Sequence, residues 1–339
     1  MPDPHVTVVL ATRNRAAYLD AALTSLVAQE SCEPFEIVVV DNGSYDDTAT
    51  VVARWSTRDP RIRSVYEPVA GLSRAKNAGI AAARGQVLLF TDDDVIVNEH
   101  WMASLLDGLA QHADDLTLVG GAVIPVPNDL GRWPAWFDEE ALVEAGALDL
   151  PAGAPVRSPQ YIWGANMAGR AKLFDLVGAF DEDLGRRLDE RGTFEDTELQ
   201  DRVRQAGGEI WFRPDARLEH RIPRDTITPR EIVLRAFSRG GYEYRIAAQH
   251  SARTRTGSRF GAIAKLVIAV PPFLLYILAF RVSSSVAFFR RLRRASFRLG
   301  HRLERYEPLD TDQRHQRLAK FVRRIVWSSR RFIPAQAIS

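Results

Sequence analysis

Apolar and polar positions change period several times along the first hundred residues. Residues 6–11 read VTVVLA, a charge-free run rich in β-branched residues, the pattern of a strand buried on both faces. From Ala16 to Gln29 the period lengthens, with Ala17, Leu19, Leu23, Leu26 and Val27 at helical spacings. A second apolar run, Glu36–Val40, stops at Asp41-Asn42-Gly43-Ser44, a turn cluster that can also cap a helix over Asp46–Trp55. Ile62–Tyr66 predicts a shorter strand, Ser73–Arg84 a helix, and Gln86–Thr91 a strand running into Asp92-Asp93-Asp94. Strand alternating with helix predicts a parallel sheet covered on both faces by helices. The polar clusters fall at the carboxyl ends of the strands, where open sheets of this kind bind ligands.

Past residue 120 the regularity weakens. GRWPAWF at 131–137 reads as an aromatic loop and 151–159 as a linker, while Asp196–Gln205 predicts a helix and Glu209–Arg213 a strand. The C-terminal part differs in kind. Leu266–Phe280 is an uncharged run of 15 residues interrupted by Pro271-Pro272, short of the roughly 20 needed to span a bilayer. Farther on, Leu318, Phe321, Val322, Ile325 and Val326 recur at helical spacing, with Arg317, Lys320, Arg323 and Arg324 on other faces. That is the pattern of a basic helix lying in a membrane interface, or of an appendage packing its apolar stripe on protein.

Composition narrows the class. The 339 residues are 46% hydrophobic and 26% charged, which excludes a mostly disordered chain. A single cysteine, Cys32, excludes a disulfide framework and a cysteine-rich zinc module, and fits a reducing compartment. The first fifteen residues lack a basic stretch followed by a long apolar run, so no secretory signal is expected. The net charge of +2 conceals an asymmetry, +15 from Arg253 onward against −13 before it. An acidic body suits metal and substrate chemistry, and a basic tail suits an anionic surface. Because its bases interleave with an apolar face, the expected surface is a membrane and not a nucleic acid.

Asp92–Asp94 is the most informative cluster. Adjacent carboxylates repel one another, so three at a strand end call for a compensating cation, and hard oxygen ligands suit Mg2+ or Mn2+. A solvated turn capping a helix that begins near Asn98 is the alternative reading.

With these residues the chain resembles a family-two glycosyltransferase of the GT-A fold. The resemblance is carried by VTVVLATRNRAAYLDAALTSLVAQ, EIVVVDNGSYDDTA, GLSRAKNAGIAAARGQVLLFTDDDV, WGANMAGRAKLFDLVGAFDEDLG and FEDTELQDRVRQAGGEIWF, in the family's order across roughly residues 5–245. It implies nucleotide-sugar contacts from Thr12 and Arg13 in the first loop, from Asp41 at the base, and from Asp92 and Asp93. Lys76 stands where many members have arginine, with Arg74 as an alternative source of a guanidinium fork. Asp94 and Asp92 are implied as ligands of the metal bridging the diphosphate, with His220 as a further ligand or a structural histidine. Glu195-Asp196 resembles the acidic pair that supplies the general base: Asp196 as base and Glu195 orienting the acceptor, since an acceptor hydroxyl is a poor nucleophile until its proton is taken. Trp163, Gly164 and Asn166 match the acceptor-side loop, where Trp163 either stacks on a sugar or fills the core.

The resemblance therefore implies a GT-A domain over residues 1–250, with a nucleotide-sugar half to about 120 and an acceptor half beyond, then a basic, helical, membrane-associating region over 251–339. It implies an inverting, metal-dependent hexosyltransferase. The donor would be a nucleotide-diphosphate sugar, expected to be UDP-linked. The acceptor would be a glycan, glycolipid or lipid-linked hydroxyl at the cytoplasmic membrane face, as in building glycolipid or cell-surface polysaccharide. Residues 235–242 lack a Gln-x-x-Arg-Trp motif, which favours non-processive transfer. A sugar nucleotidyltransferase or a dinucleotide dehydrogenase would place a glycine-rich loop where this chain has Ala11-Thr12-Arg13-Asn14-Arg15. The competing reading is a non-catalytic nucleotide-sugar-binding or scaffold protein on a transferase fold.

Overall fold

The computed structural model describes residues 3–30, 33–128, 131–134, 136–185, 194–228, 231–232, 235–236, 293–294 and 298. Strand β1 (Val6–Thr12) lies parallel to β2 (Phe35–Asp41) on one side and to β4 (Val87–Asp92) on the other, and β2 is parallel to β3 (Ile62–Tyr66). The register sets Thr12 opposite Asp41 and Ala11 opposite Asp92, so three strands deliver their carboxyl ends to one place. Helices α1 (Ala16–Val27), α2 (Thr48–Arg58) and α3 (Leu72–Ala82) connect them. Val38 and Val40 pack with Ala75 of α3, whereas Ile37 and Val39 join the main core with Leu19, Leu23, Val51 and Val52. Helices thus cover both faces, which is why these strands carry no polar alternation.

The second half of the sheet is antiparallel. After β4 come β5 (Val95–Val97), α4 (Trp101–Ala110), β6 (Leu118–Pro127), α5 (Glu139–Glu144), β7 (Asn166–Arg170), α6 (Ala171–Val177), α7 (Glu195–Gln205) and β8 (Ile210–Ile222). The eight strands take the order β3-β2-β1-β4-β7-β6-β8-β5, with β7 antiparallel to β4 and to β6, and β8 antiparallel to β5. Neither β6 nor β7 is predicted by periodicity. NMAGR has no β-branched residue, and LVGGAVIPVP carries two glycines and two prolines. Tertiary pairing makes them strands. Gly121 is required by close packing, since a Cβ there would lie 2.0 Å from the Ala216 carbonyl oxygen.

Contacts divide the chain into two units. The first, Met1–Val126 with Gly146–Ile222, holds nearly all of the sheet; the second takes Pro127–Ala145 and Pro223–Ser339. The first unit ends at Ile222. In the second unit Asp138 caps α5, accepting from the Ala141 amide at 2.9 Å, and Trp133 stacks on Phe137 at 4.1 Å. Arg293, 2% exposed, donates to Asp138 at 2.6 Å and pairs with Glu140, as does Arg294. Asp138 and Glu140 between them thus partner both guanidiniums. Among the described residues no helix is long and apolar enough to cross a membrane. The apolar run at 260–280, the basic helix at 318–326 and most of segment 235–242 lie outside the described residues.

Candidate active site

Strand β4 carries Asp92 to its end, and the chain turns through Asp93 and Asp94 into β5. The three side chains part company there. Asp93 accepts from the Thr12 hydroxyl at 2.7 Å and so ties the turn to the loop after β1. Burial, reinforced by neighbouring Asp94, pushes its carboxyl up to about 7. Asp94 presents one oxygen to Arg15 at 3.1 Å and the other to His220 Nε2 at 3.4 Å. The pairing of β5 with β8 sets the second contact: Val95 stands opposite His220, and the Arg221 amide donates to the Asp94 carbonyl at 2.8 Å. Asp92 is raised above the ordinary carboxylate range by burial, an effect that Lys76 opposes.

The second acidic pair begins α7. Lys76, on α3, reaches Glu195 Oε1 at 2.8 Å, with the two side chains only 4% and 2% exposed. Burial works against the lysine's charge, yet Glu195, Asp92 and Asp196 together hold its pKa above the usual value. Lys76 is thus the hub of three carboxylates, its ammonium lying 5.0 Å from the Phe180 ring centroid. Glu195 Oε2 is buried with no hydrogen-bond partner. Asp196 accepts from the Gly164 amide through one oxygen and the Thr197 amide through the other, each at 2.8 Å. Burial and then the Glu195 charge push its carboxyl up to about 6. Gly164 is wedged between the two: a Cβ there would lie 2.7 Å from Lys76 Nζ and 3.1 Å from Asp196 Cβ. A carboxylate fixed by two amides, with a proton affinity near neutrality, is suited to general-base work.

The remaining predicted residues divide. Asp41 is nearly buried and accepts from the Ser44 amide at 2.9 Å, while Arg13 donates to the Asn42 carbonyl. Asp41 is the last residue of β2, and Arg13 follows β1 directly. Arg74 pairs with Glu182 at 2.8 Å on the surface. Lys76, assigned by the resemblance to the nucleotide, has its ammonium turned inward onto Glu195. Trp163 packs against the core and donates its indole N–H to the Gly146 carbonyl at 3.0 Å. Asn166 is fully buried; its amide donates to the Ala122 and Ala216 carbonyls and accepts from Trp101 Nε1. Both amide hydrogens of Asn166 are thus engaged inside the fold. Sequence reasoning missed Arg15. It is the second arginine of TRNR, and nothing local in the sequence sets it apart from Arg13.

The donor set suits a divalent cation of modest protein ligation. Among the described residues no three His, Cys, Asp or Glu side chains form a metal cage. Asp94 Oδ1 and His220 Nε2, however, stand 3.4 Å apart. Two ligands at right angles, each about 2.1 Å from an ion, are separated by about 3 Å, and Mg2+ commonly takes only one or two protein groups and leaves positions for phosphate oxygens.

Residues 7–175 match the family model described as Glycosyl transferase family 2. The chain carries a family 2 glycosyltransferase domain. The chain is 25% identical over 238 residues to the glucosyl-dolichyl phosphate glucuronosyltransferase of Haloferax volcanii, a match covering 69% of this chain and 75% of that protein. To the validoxylamine A glucosyltransferase of Streptomyces hygroscopicus subsp. jinggangensis it is 31% identical over 204 residues, which span 53% of this chain but only 48% of that relative. A mannosyltransferase from Pyrobaculum calidifontis, solved with GDP-Man and Mn2+, superimposes with a TM-score of 0.56 at 19% identity, covering 89% of this chain and 87% of that one. The transferase domain accordingly has the GT-A fold. Asp92 ends β4 and lies with Asp93 and Asp94 inside the matched residues, whereas Glu195 and Asp196 begin α7 beyond them.

Proposed function

We propose that the protein is an inverting glycosyltransferase that moves a sugar from a nucleotide-diphosphate donor to an acceptor hydroxyl. The observation that carries this reading is the buried Lys76–Glu195 pair, which sets the acidic head of α7 within electrostatic reach of Asp92 at the carboxyl end of β4. Asp196 accepts the acceptor's proton as the oxygen attacks the anomeric carbon, and a single displacement inverts that centre. The Gly164 and Thr197 amides keep its carboxylate aimed, while Lys76 and Glu195 fix the floor beneath it. Thr12, Arg13 and Asp41 border the nucleotide, and Trp163 and Gly164 border the acceptor. Asp94 and His220 would hold a divalent cation, which would neutralise charge on the departing diphosphate.

The Pyrobaculum relative's GDP-Man and Mn2+ support a nucleotide-sugar donor with Mn2+ or Mg2+, and the Haloferax relative supports a lipid-linked acceptor. A UDP-linked sugar and the cytoplasmic membrane face remain parts of the same proposal. The test is transfer of radiolabelled sugar into lipid-extractable product by wild type and Asp196→Asn. Wild type should label one product with inverted linkage. The variant should bind donor as well while kcat falls by about 10²–10⁴. Undiminished turnover in Asp196→Asn, or donor binding without transfer by wild type, speaks against it, the latter favouring a binding or scaffold role.

A further inference from the structure

We propose that Arg15 stands in for the divalent cation at Asp94 and passes to the donor's diphosphate when the cation arrives, so that metal and nucleotide bind cooperatively. The inference rests on the metal-dependent reading given above and adds a role for a residue outside that ligand set. Arg15 NH1 lies 3.1 Å from Asp94 Oδ2, on the carboxylate whose other oxygen faces His220. A guanidinium and a metal ion are both cations, so the two cannot share that carboxylate without mutual repulsion.

The geometry permits the exchange. The backbone of Arg15 is pinned at the head of α1: its amide donates to the Thr48 hydroxyl at 3.3 Å, and its carbonyl accepts from the Tyr18 and Leu19 amides at 2.9 and 3.0 Å. The side chain is 27% exposed and passes 5.2 Å from the Tyr18 ring centroid, a surface along which a long stem can pivot. Charge sets the direction. Three adjacent carboxylates need a positive neighbour, which Arg15 provides in the absence of ligand. A dication at Asp94 supplies more charge than is lost when Arg15 leaves, and the diphosphate it brings is an anion that a guanidinium fork grips through two oxygens. The coupling must be reciprocal: nucleotide tightens metal as much as metal tightens nucleotide.

Mn2+ binding by the full chain, measured by calorimetry and by the paramagnetic signal of free Mn2+, tests this with and without UDP or GDP. Wild type should bind Mn2+ weakly alone and at least about tenfold more tightly with the matching diphosphate. Arg15→Gln should bind Mn2+ alone about tenfold more tightly than wild type and lose most of the nucleotide enhancement. Arg15→Lys, which keeps the charge, should fall between them and guards against a Gln variant that fails to fold. Equal Mn2+ affinity of wild type and both variants without nucleotide overturns the exchange while leaving the metal reading intact. Absence of Mn2+ binding in every form, even with both nucleotides, removes the metal reading and this inference with it.

Discussion

Replacing Lys76 by methionine keeps most of the side chain's volume and deletes one buried positive charge. Glu195 would then hold a carboxylate 2% exposed with neither oxygen paired, because Oε1 has lost its 2.8 Å contact and Oε2 has none to begin with. Asp92 and Asp196 lose the same neighbour. Breaking a buried pair by removing one partner costs about 3–5 kcal/mol, and at about 2–4 °C per kcal/mol for a body of this size the melting temperature should fall by roughly 6–20 °C. Removing both charges should restore most of it, so Lys76→Met/Glu195→Gln should melt well above Lys76→Met. The pH dependence carries a sign. Protonating a buried carboxylate that has lost its cation removes the uncompensated charge, so the loss in Lys76→Met should be smaller at the lower pH. Thermal melts of wild type, both single variants and the double variant at pH 5 and 7 measure all of this. A loss below about 1 kcal/mol in Lys76→Met, as for a surface pair, would refute the reasoning. So would a double variant no more stable than Lys76→Met.

Further outcomes follow from the same geometry. Because the Asp196 carboxyl is pushed up to about 6 in the free protein, kcat/KM should fall as pH drops below 6, and Asp196→Asn should abolish that limb of the pH–rate profile. Its raised folded pKa also means that its contribution to stability is full below the unfolded value and lost as pH rises through about 6, so wild-type melts should drop more between pH 4 and 7 than those of Asp196→Asn. Gly164→Ala places a methyl 2.7 Å from Lys76 Nζ and should cost about 1–3 kcal/mol while lowering kcat, read from paired melts and rates. Asn166→Ala strands Trp101 Nε1 and the Ala122 and Ala216 carbonyls, so it should destabilise by about 3 kcal/mol or more; an unchanged melt with a raised acceptor KM would instead place Asn166 on the acceptor side.

Much of the first half was legible because its elements speak in local patterns. β1, β2 and β4 are buried on both faces, so their apolar runs mark them, and Asp41 and Asp92 mark their ends within a residue. β6 and β7 were not legible, because a strand whose residues are chosen for close backbone approach, like Gly121, has no period to read. The acidic clusters could be found as clusters, but their pairings could not. That Lys76 turns inward to Glu195, 119 residues away, depends on where α3 and α7 meet. The bonds of Asn166 to Trp101, Ala122 and Ala216 were hidden for a related reason, since they depend on which distant elements meet around it. Arg15 lacked a signal separating it from Arg13 two residues earlier, although only Arg15 reaches Asp94 among their described contacts.

The central claim is that the Asp92–Asp94 turn binds a nucleotide sugar for transfer. Slow hydrolysis of a panel of UDP- and GDP-sugars, followed with Mn2+ and after chelation in wild type and Asp94→Ala, tests it most directly. The account predicts release of one nucleoside diphosphate that requires the metal and disappears in the variant. Turnover indifferent to both chelation and the loss of Asp94, or no binding of any nucleotide sugar, would contradict it.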